Sequence, residues 1–280
     1  MNTLELIKFA LDEDIKSGDL TADLLLDQSI QSTATIFAKS KGVFCGNEII
    51  TAIEPLVTSI SFSKVLTDGA IVKPNDPCVQ LQGPLKTIVE IERTLLNFLQ
   101  RLSGIATITH EFVHGLNDPS IQILDTRKTT PNLRDLEKKA VVAGGGFNHR
   151  FGLFDMILVK ENHLHRYVNE FGLDAFNLKI KHQKQAFPDI QIEVEVSSLT
   201  TLTQLDLSFI DIIMFDNMSI DKLTPCIAYM NKKAPTVLKE VSGNISLNSI
   251  SRYQGIDIDR ISIGSLTHSV KALDLSLLVL

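Results

Sequence analysis

A cluster of basic side chains lies between Asp125 and Lys160, in a chain that is acidic as a whole. The 280 residues carry a formal net charge of -6. Segment 125–160 has a positive net charge, because it contains four acidic residues and seven basic ones. The basic residues are Arg127, Lys128, Arg134, Lys138, Lys139, Arg150 and Lys160. Arginine forks pair with carboxylates in a bidentate manner, and lysines act as point charges for phosphates. The cluster therefore predicts a site for a small polyanion.

The members of this cluster differ in their sequence neighbours. Arg127, Arg150 and Lys160 adjoin predicted strand ends or a glycine-rich turn, which favours ligand binding. A solvated helix face is expected for Lys138 and Lys139. His149 follows Gly144–Gly146, where the backbone can approach a ligand closely. The residues alone leave open whether His149 is structural or contacts the ligand.

Two acidic residues close neighbouring predicted strands. Glu195 lies near the end of IQIEVEV, and Asp216 closes FIDIIMFD. Such carboxylates hold Mg²⁺, bind ribose hydroxyls or stabilise a developing oxocarbenium ion. A glycosidase pair uses similar residues, but the basic surroundings disfavour a neutral sugar. Glu193 is expected to point away from this mouth, or into a packed layer, and ranks below Glu195.

Two glycine-bearing turns follow the last predicted strands. One contains Ser242–Gly243–Asn244, and the other begins at Gly264–Ser265. Turns after the last strands of a β/α barrel, each followed by a helix, form a common phosphate site. We expect a terminal phosphate to be held by the backbone N–H groups of Gly243, Asn244, Gly264 and Ser265.

The elements that position these side chains alternate between strand and helix from Ile121 onward. Six short runs rich in Ile, Val and Leu predict buried parallel strands: IQILD, MILVK, IQIEVEV, FIDIIMFD, TVLKEV and RISIG. Intervening stretches such as SIDKLTPCIAYMNKK are long enough for crossover helices. The pattern predicts an incomplete or full β/α barrel, with an active site where the strands end.

The first hundred or so residues follow a different pattern. A short amphipathic helix is broken at Gly18–Thr21. Strand-like runs separated by turn residues come next: TATIFAKS, ISFSKVL, AIVKP and CVQLQG. A long helical stretch then runs from Leu85 to Gly115. This part is predicted to be a small α+β domain that ends in a helix.

Composition and missing motifs exclude several classes of function. The acidic net charge argues against general nucleic-acid binding. We expect neither a membrane span nor a cleavable signal peptide. The three scattered cysteines form no zinc motif and are typical of a reducing cytoplasm. The chain has no GxGxxG, Walker A or GxSxG motif, and it lacks the paired-acid loop of the commoner phosphoribosyltransferase fold.

One long stretch, Asp125 to His163, closely resembles the signature of the quinolinate phosphoribosyltransferases. Shorter stretches are similar to that family in the same order: Glu92–Thr107, Ile192–Val196, Asp211–Met218, Glu240–Ser246 and Ile261–Leu277. The resemblance covers nearly the whole chain. It implies a small α/β sandwich domain over 1–108, an incomplete α/β barrel over 109–265 and a segment, 266–280, that returns to the N-terminal domain.

The resemblance also implies a reaction and an assembly. Quinolinate and phosphoribosyl diphosphate are expected to give nicotinate mononucleotide, pyrophosphate and carbon dioxide, with Mg²⁺ as cofactor, in de novo NAD biosynthesis. The active unit is expected to be a cytoplasmic homodimer or a higher oligomer. Its partners are small molecules rather than nucleic acid or membrane.

The site residues implied by the resemblance agree largely with those chosen by residue type. The quinolinate-binding basic groups fall on Arg127, His149, Arg150 and Lys160. Arg101 matches an arginine donated into the neighbouring subunit's site, and Lys128 matches a lysine at the diphosphate and substrate pocket. Glu195 and Asp216 match acids near the ribose and the metal. The phosphate loops fall on Ser242, Gly243, Asn244 and Gly264. We expect the catalytic residues to be Lys128, Glu195 and Asp216.

Three residues depart from the family's pattern. Asn132 stands where glycine is usual, Lys139 replaces a common aromatic residue, and Glu161 replaces a common aspartate. None of the three is expected to take part directly in the reaction, so the departures affect the expected shape of the local loops and not the expected reaction.

Two other functions are compatible with parts of the sequence. The first is a related transferase that acts on nicotinate or another base without decarboxylation, but one carboxylate does not need four cationic groups. A non-catalytic phosphate-binding or assembly protein is the other class. The joint presence of Lys128, Lys160, Glu195 and Asp216 argues against it.

Overall fold

A computed structural model describes residues 2–63 and 65–280. Its contacts divide the chain into two compact units. The first comprises Met1–Glu111, Thr129–Gly146 and Ser265–Leu280, and the second comprises Phe112–Lys128 and Phe147–Gly264. Lys64, within the run ISFSKVL, lies outside the described residues. Among the residues described, no helix has both the length and the apolar character to cross a membrane.

The helices and strands are numbered along the chain. The helices are α1 Thr3–Ile15, α2 Leu20–Leu25, α3 Asn47–Ile53, α4 Leu85–Leu116, α5 Arg134–Ala143, α6 Glu161–Phe171, α7 Leu173–Ala186, α8 Leu199–Gln204, α9 Ile220–Lys233 and α10 Ser265–His268. The strands are β1 Gln31–Ala38, β2 Gly42–Val43, β3 Ser61–Ser63, β4 Ile71–Val72, β5 Pro77–Pro84, β6 Gln122–Leu124, β7 Ile157–Val159, β8 Ile192–Val196, β9 Ile212–Asp216, β10 Leu238–Ser242, β11 Arg260–Ser262 and β12 Leu275–Val279.

The first unit is built on a four-stranded antiparallel sheet. Its strand order is β12-β1-β5-β3, so the C-terminal strand pairs with β1. Ile36 of β1 and Leu81 of β5 are fully buried. The predicted long helix is confirmed by α4, which buries Ile88, Leu95 and other apolar residues at helical spacing.

The second unit contains a six-stranded parallel sheet. Its order is β6-β11-β10-β9-β8-β7, and all its neighbouring strands run parallel. Five of the six predicted runs contain one of these strands, and the sixth, TVLKEV, overlaps β10, which extends one residue further to Ser242. The edge strands are β6 and β7, so the sheet is open, as expected for the predicted incomplete barrel. Val194, Ile213 and Phe215 lie in its core with no exposed surface. The carboxyl ends of all six strands face one edge.

Helix α5 of the first unit corrects one expectation. Three consecutive residues, Leu136, Glu137 and Lys138, are buried, so the helix is covered on more than one side. The expectation of a solvated face is therefore wrong for Lys138. Lys139 is half-exposed, and its ammonium pairs with Glu48 at 2.6 Å and Asp135 at 2.7 Å.

Candidate active site

The segment that leads to His149 runs beside β6 in the second unit. Phe147 N donates to Ile123 O at 2.8 Å, and Asp125 N donates to Phe147 O at 3.2 Å. The fully buried carboxylate of Asp125 accepts the backbone N–H of His149 at 2.9 Å. Asp125 therefore holds two stretches of the basic cluster together, those after β6 and after the glycine-rich turn.

Arg127 and Arg150, one from each of these stretches, lie close enough for their charges to interact. Burial lowers the pKa of Arg150, and the charge of Arg127 lowers it further, while Glu193 and Asp155 oppose the shift. Arg150 Nη1 donates to Met156 O at 3.2 Å. Two guanidinium groups held near each other repel, and a bound dicarboxylate would relieve that repulsion.

Two carboxylates end adjacent strands in the same unit. Burial raises the pKa of Glu195, and the charge of Asp216 raises it further, while the backbone N–H of Glu161 and the charge of Lys160 lower it. Asp216 Oδ2 accepts a hydrogen bond from Asn217 Nδ2 at 2.7 Å. Glu195 and Asp216 are half-buried, and their oxygens are ligands of the kind that Mg²⁺ prefers.

Glu193 lies on the same face of β8 as Glu195, because residues two apart in a strand point the same way. The expectation that Glu193 points the opposite way is wrong, and the alternative of a packed layer is what the structure has. Its side chain is completely buried.

The loop after β10 has two consecutive residues in the left-handed region. Gly243 has φ of 98° and Asn244 has φ of 50°, and Asn217 beside them has φ of 52°. Asn217 N donates to Ser242 O at 2.9 Å, and its Oδ1 accepts from Asn244 Nδ2 at 3.0 Å. Asn217 therefore links the loop to Asp216. Sequence reasoning missed this residue, although asparagine after a strand end is a common sign of a left-handed turn.

A buried cluster surrounds the His149 ring. Nε2 lies 3.0 Å from Glu193 Oε2 and 3.4 Å from Glu240 Oε1, and Nδ1 accepts the N–H of Arg150 at 2.7 Å. Arg260 Nε is 3.7 Å from the second oxygen of Glu240. Both glutamates are completely buried. They were missed as site residues because charged strand residues are rarely placed in a core.

Two features of the cluster bear on which nitrogen atoms of the His149 ring carry a proton. Burial lowers the pKa of His149, but the ring's interactions with the carboxylates of Glu193 and Glu240, which accept its proton and carry negative charge, outweigh burial and raise the pKa to about 9. Burial and the charge of Glu240 raise the pKa of Glu193. The Arg150 N–H can bond to Nδ1 only if that nitrogen is unprotonated. The contact of Arg150 N with Nδ1 therefore belongs to the neutral ring with its proton on Nε2, whereas a pKa of about 9 belongs to a ring that is charged at neutral pH.

In the first unit, Arg101 is engaged with its own chain. Arg101 Nε and Nη2 donate to Glu137 Oε1 at 2.9 and 2.6 Å, and Nη2 also donates to Thr130 Oγ1 at 2.6 Å. Glu137 is completely buried, and its Oε2 accepts the N–H of Thr130 at 3.2 Å. The partner of Arg101 lies 36 positions along the chain, so periodicity could not reveal it.

The remaining candidate positions are distributed between the units. Lys128 and Lys160 are exposed in the second unit. Gly264 ends that unit, while Ser265 begins α10 in the first. Asn132, where glycine is usual, has φ of 65°, a conformation that asparagine tolerates better than most residues.

A parallel sheet with basic groups, paired acids and a left-handed glycine loop at its carboxyl ends defines the class of β/α phosphate-binding sites. Family models described as "Quinolinate phosphoribosyl transferase" match residues 19–103 for the N-terminal domain and 105–278 for the C-terminal domain. The chain belongs to the quinolinate phosphoribosyl transferase family.

Named relatives and solved structures agree with this membership. The "Probable nicotinate-nucleotide pyrophosphorylase [carboxylating]" of Bacillus subtilis is 42% identical, over 99% of this chain and 94% of the relative. The corresponding Mycobacterium leprae protein is 35% identical, over 97% and 95%. The crystal structure of NadC from Streptococcus pyogenes has a TM-score of 0.88 at 38% identity and covers 98% of this chain and 95% of that one.

Proposed function

We propose that this chain transfers phosphoribosyl from phosphoribosyl diphosphate to quinolinate with decarboxylation. The products are nicotinate mononucleotide, pyrophosphate and carbon dioxide, in de novo NAD biosynthesis. The observation that carries the proposal is the pair Arg127 and Arg150, whose charges interact at the edge of the parallel sheet. A pyridine with two adjacent carboxylates offers each guanidinium a partner.

Quinolinate binding is the first task of the basic residues. Arg127, Arg150 and Lys160 pair with the two carboxylates, which offsets the repulsion between a dianionic base and a polyanionic donor. The ring nitrogen then attacks C1 of the ribose as pyrophosphate leaves. Lys128 carries charge suited to the leaving group.

The two carboxylates and the loop after β10 contact the donor, phosphoribosyl diphosphate. Glu195 and Asp216 stabilise positive charge at C1 or bind the ribose hydroxyls. The turn Ser242–Gly243–Asn244 offers backbone N–H groups to the terminal phosphate, together with Gly264. After transfer, the ring nitrogen is quaternary. It draws in the electrons of the bond to the adjacent carboxylate, carbon dioxide leaves, and a proton replaces it on the ring carbon.

Mg²⁺ fits this donor set. Glu195 and Asp216 both provide carboxylate oxygens. Burial raises the pKa of Glu195, the charge of Asp216 raises it further, and a divalent cation would reduce the repulsion between the two carboxylates. We propose that these residues, together with the substrate diphosphate, hold the ion. When bound, Mg²⁺ supplies positive charge to the pyrophosphate.

We also propose that the enzyme is a cytoplasmic homodimer with shared sites, in which Arg101 enters the partner's site. Large exposed apolar side chains support an interface: Leu20, Leu24 and Leu25 in the first unit, and Leu153 and Phe154 in the second. For Arg101 to serve the partner's site, its contact with Glu137 must open or be shared. Three cysteines that are free of disulfides support the cytoplasmic location.

Carbon dioxide release tests the proposed reaction. With quinolinate labelled in the carboxyl group next to the ring nitrogen, phosphoribosyl diphosphate and Mg²⁺, we expect one labelled carbon dioxide per nicotinate mononucleotide. Nicotinate offered instead should give little product, because it leaves one arginine without a carboxylate. Product from nicotinate at a comparable rate would favour the non-decarboxylating transferase, and no product from either would refute a transferase function.

Complementation between variants tests the shared site. We expect Arg101→Ala and Arg127→Ala each to be nearly inactive alone. Co-expressed in equal amounts, they should recover about one quarter of the normal activity, because half of the dimers are mixed and each mixed dimer has one intact site. Two variants altered on the same side of the site, Arg127→Ala and Lys160→Ala, are the matched control and should not recover. Failure of the first pair to recover would place Arg101 in its own chain's site or outside any site.

A further inference from the structure

A buried carboxylate of the first unit, that of Glu137, has no role in the proposed chemistry. The side chain of Glu137 in α5 is completely buried. Its Oε1 accepts from Arg101 Nε at 2.9 Å and from Arg101 Nη2 at 2.6 Å, and its Oε2 accepts the N–H of Thr130 at 3.2 Å. Removing the cationic partner of a buried carboxylate is strongly unfavourable. An Arg101 side chain that left Glu137 would therefore strand a buried charge.

The guanidinium group of Arg101 is held along one edge. Nε and Nη2 contact Glu137, and Nη2 also donates to Thr130 Oγ1 at 2.6 Å and to Thr267 O at 3.4 Å. A guanidinium has five N–H groups, of which Nε carries one and each Nη carries two. In the part of the chain that the structure describes, no residue accepts a hydrogen bond from Nη1. The side chain is 33% exposed, so a ligand can reach it.

We infer that Glu137 is a positioning residue, which holds the Nε and Nη2 edge of Arg101 so that Nη1 meets a carboxylate of quinolinate in the partner's site. This inference rests on the proposed function, since it takes Arg101 to act on quinolinate that the partner subunit binds. The guanidinium is planar and rigid, so fixing Nε and Nη2 also fixes the direction of the Nη1 N–H groups. In the working dimer the contact with Glu137 is therefore shared with the substrate and does not open.

Steady-state kinetics measure the effect of losing this support. We expect Glu137→Gln to raise KM for quinolinate by about 10- to 100-fold, the size typical of replacements behind a ligand-contacting group. KM for phosphoribosyl diphosphate should change little. Thr130→Val removes one acceptor of Nη2 and should raise KM for quinolinate less. Asp135→Asn on the same helix removes an exposed contact of Lys139 and is the matched control, which should change neither KM. A normal KM for quinolinate in Glu137→Gln, or an equal rise of both KM values, would contradict the inference.

Mixed dimers assign Glu137 to one side of the shared site. Glu137→Gln and Arg127→Ala, joined in one dimer that is isolated through two different affinity tags, should show about half of the normal activity at limiting quinolinate. One of its two sites keeps Arg127 and receives Arg101 from a chain with an intact Glu137. The mixed dimer of Glu137→Gln with Arg101→Ala should show no such recovery, because both changes affect the same side. An inactive mixed dimer of Glu137→Gln with Arg127→Ala would place Glu137 in its own chain's site and overturn the inference.

The unaltered protein supplies a test that does not depend on how the Glu137 variants fold. In the full-length protein labelled with ¹⁵N in arginine, the Nε–H signal of Arg101 reports the contact with Glu137, and its loss in Arg101→Lys assigns it. We expect slow exchange of this hydrogen with solvent, both without ligand and at saturating quinolinate, because the contact stays closed. Faster exchange on quinolinate binding would show that Arg101 leaves Glu137, and the inference would fail.

These readouts keep the two proposals apart. An unaltered protein that does not release carbon dioxide from quinolinate would refute the proposed function, and the exchange of the Arg101 Nε–H would still show whether Glu137 holds the guanidinium. Conversely, recovery of Arg101→Ala by Arg127→Ala, without recovery of Glu137→Gln by Arg127→Ala, would leave the shared site standing and refute only the positioning role.

Discussion

Arg127→Ala is expected to weaken quinolinate binding by about 2–5 kcal/mol, because a carboxylate that is withdrawn from water loses its charged partner. At about 1.4 kcal/mol for each factor of ten, kcat/KM for quinolinate should fall by roughly 30- to 4,000-fold. Arg150→Ala should behave in the same way. Steady-state kinetics with quinolinate varied at saturating phosphoribosyl diphosphate measure the effect.

A surface arginine of the same unit provides the control for this prediction. The side chain of Arg166 is 82% exposed and pairs with Glu170 within one helix, so Arg166→Ala should leave the kinetics unchanged. Arg127→Lys keeps the charge but loses the planar fork, and we expect it to recover only part of the loss. Near-normal turnover of Arg127→Ala would show that quinolinate binds elsewhere.

The sequence predicted the strands of the second unit because their composition leaves few alternatives. Runs such as IQIEVEV and FIDIIMFD are too short for helices and too apolar for exposed strands, and each forms part of the parallel sheet. Once the strands run parallel, the position of Glu195 and Asp216 at one edge follows from geometry. The carboxylates that end those strands were therefore predictable from the chain alone.

The contacts beneath that edge were not predictable in the same way. Glu240 contacts His149 although more than ninety residues separate them in the sequence, and no local sequence pattern predicts such a contact. The expected direction of Glu193 was wrong for a different reason. Side chains two residues apart in a strand point to the same face, so the sequence alone places Glu193 on the face of Glu195. Lys138 was expected at the surface because lysine is rarely buried in proteins. A general preference of this kind cannot identify the individual lysine that is buried, as Lys138 is.

The sequence contained a signal for the start of helix α2 that was interpreted only as the end of helix α1. The stretch Gly18–Thr21 was predicted to break the first helix, which does end at Ile15. Asp19 in that stretch also caps a second helix, because its side chain accepts the N–H groups of Thr21 and Ala22. The same residues end one helix and begin the next, so a turn signal alone was insufficient.

Gly243→Ala is the second substitution with a large expected effect. A Cβ at this position would lie 2.2 Å from Asn217 Oδ1 and 2.8 Å from Asn217 N, and the backbone φ of 98° is itself unfavourable for alanine. Because Asn217 donates to Asp216 and accepts from Asn244, displacing it disturbs the acid and the phosphate loop together. Misplacement of about 1 Å costs on the order of 100-fold in rate, so we expect a loss of this size in kcat/KM for phosphoribosyl diphosphate.

Gly255→Ala separates the steric effect from backbone strain. Gly255 has φ of 73°, but a Cβ there meets no atom within 4 Å. Both variants should therefore lose roughly 1–2 kcal/mol of folding free energy from the left-handed conformation, measured by denaturant unfolding. Only Gly243→Ala should also lose affinity for phosphoribosyl diphosphate. If the two variants share the same kinetics, the loop after β10 does not bind the donor, and the terminal phosphate must be held by other residues.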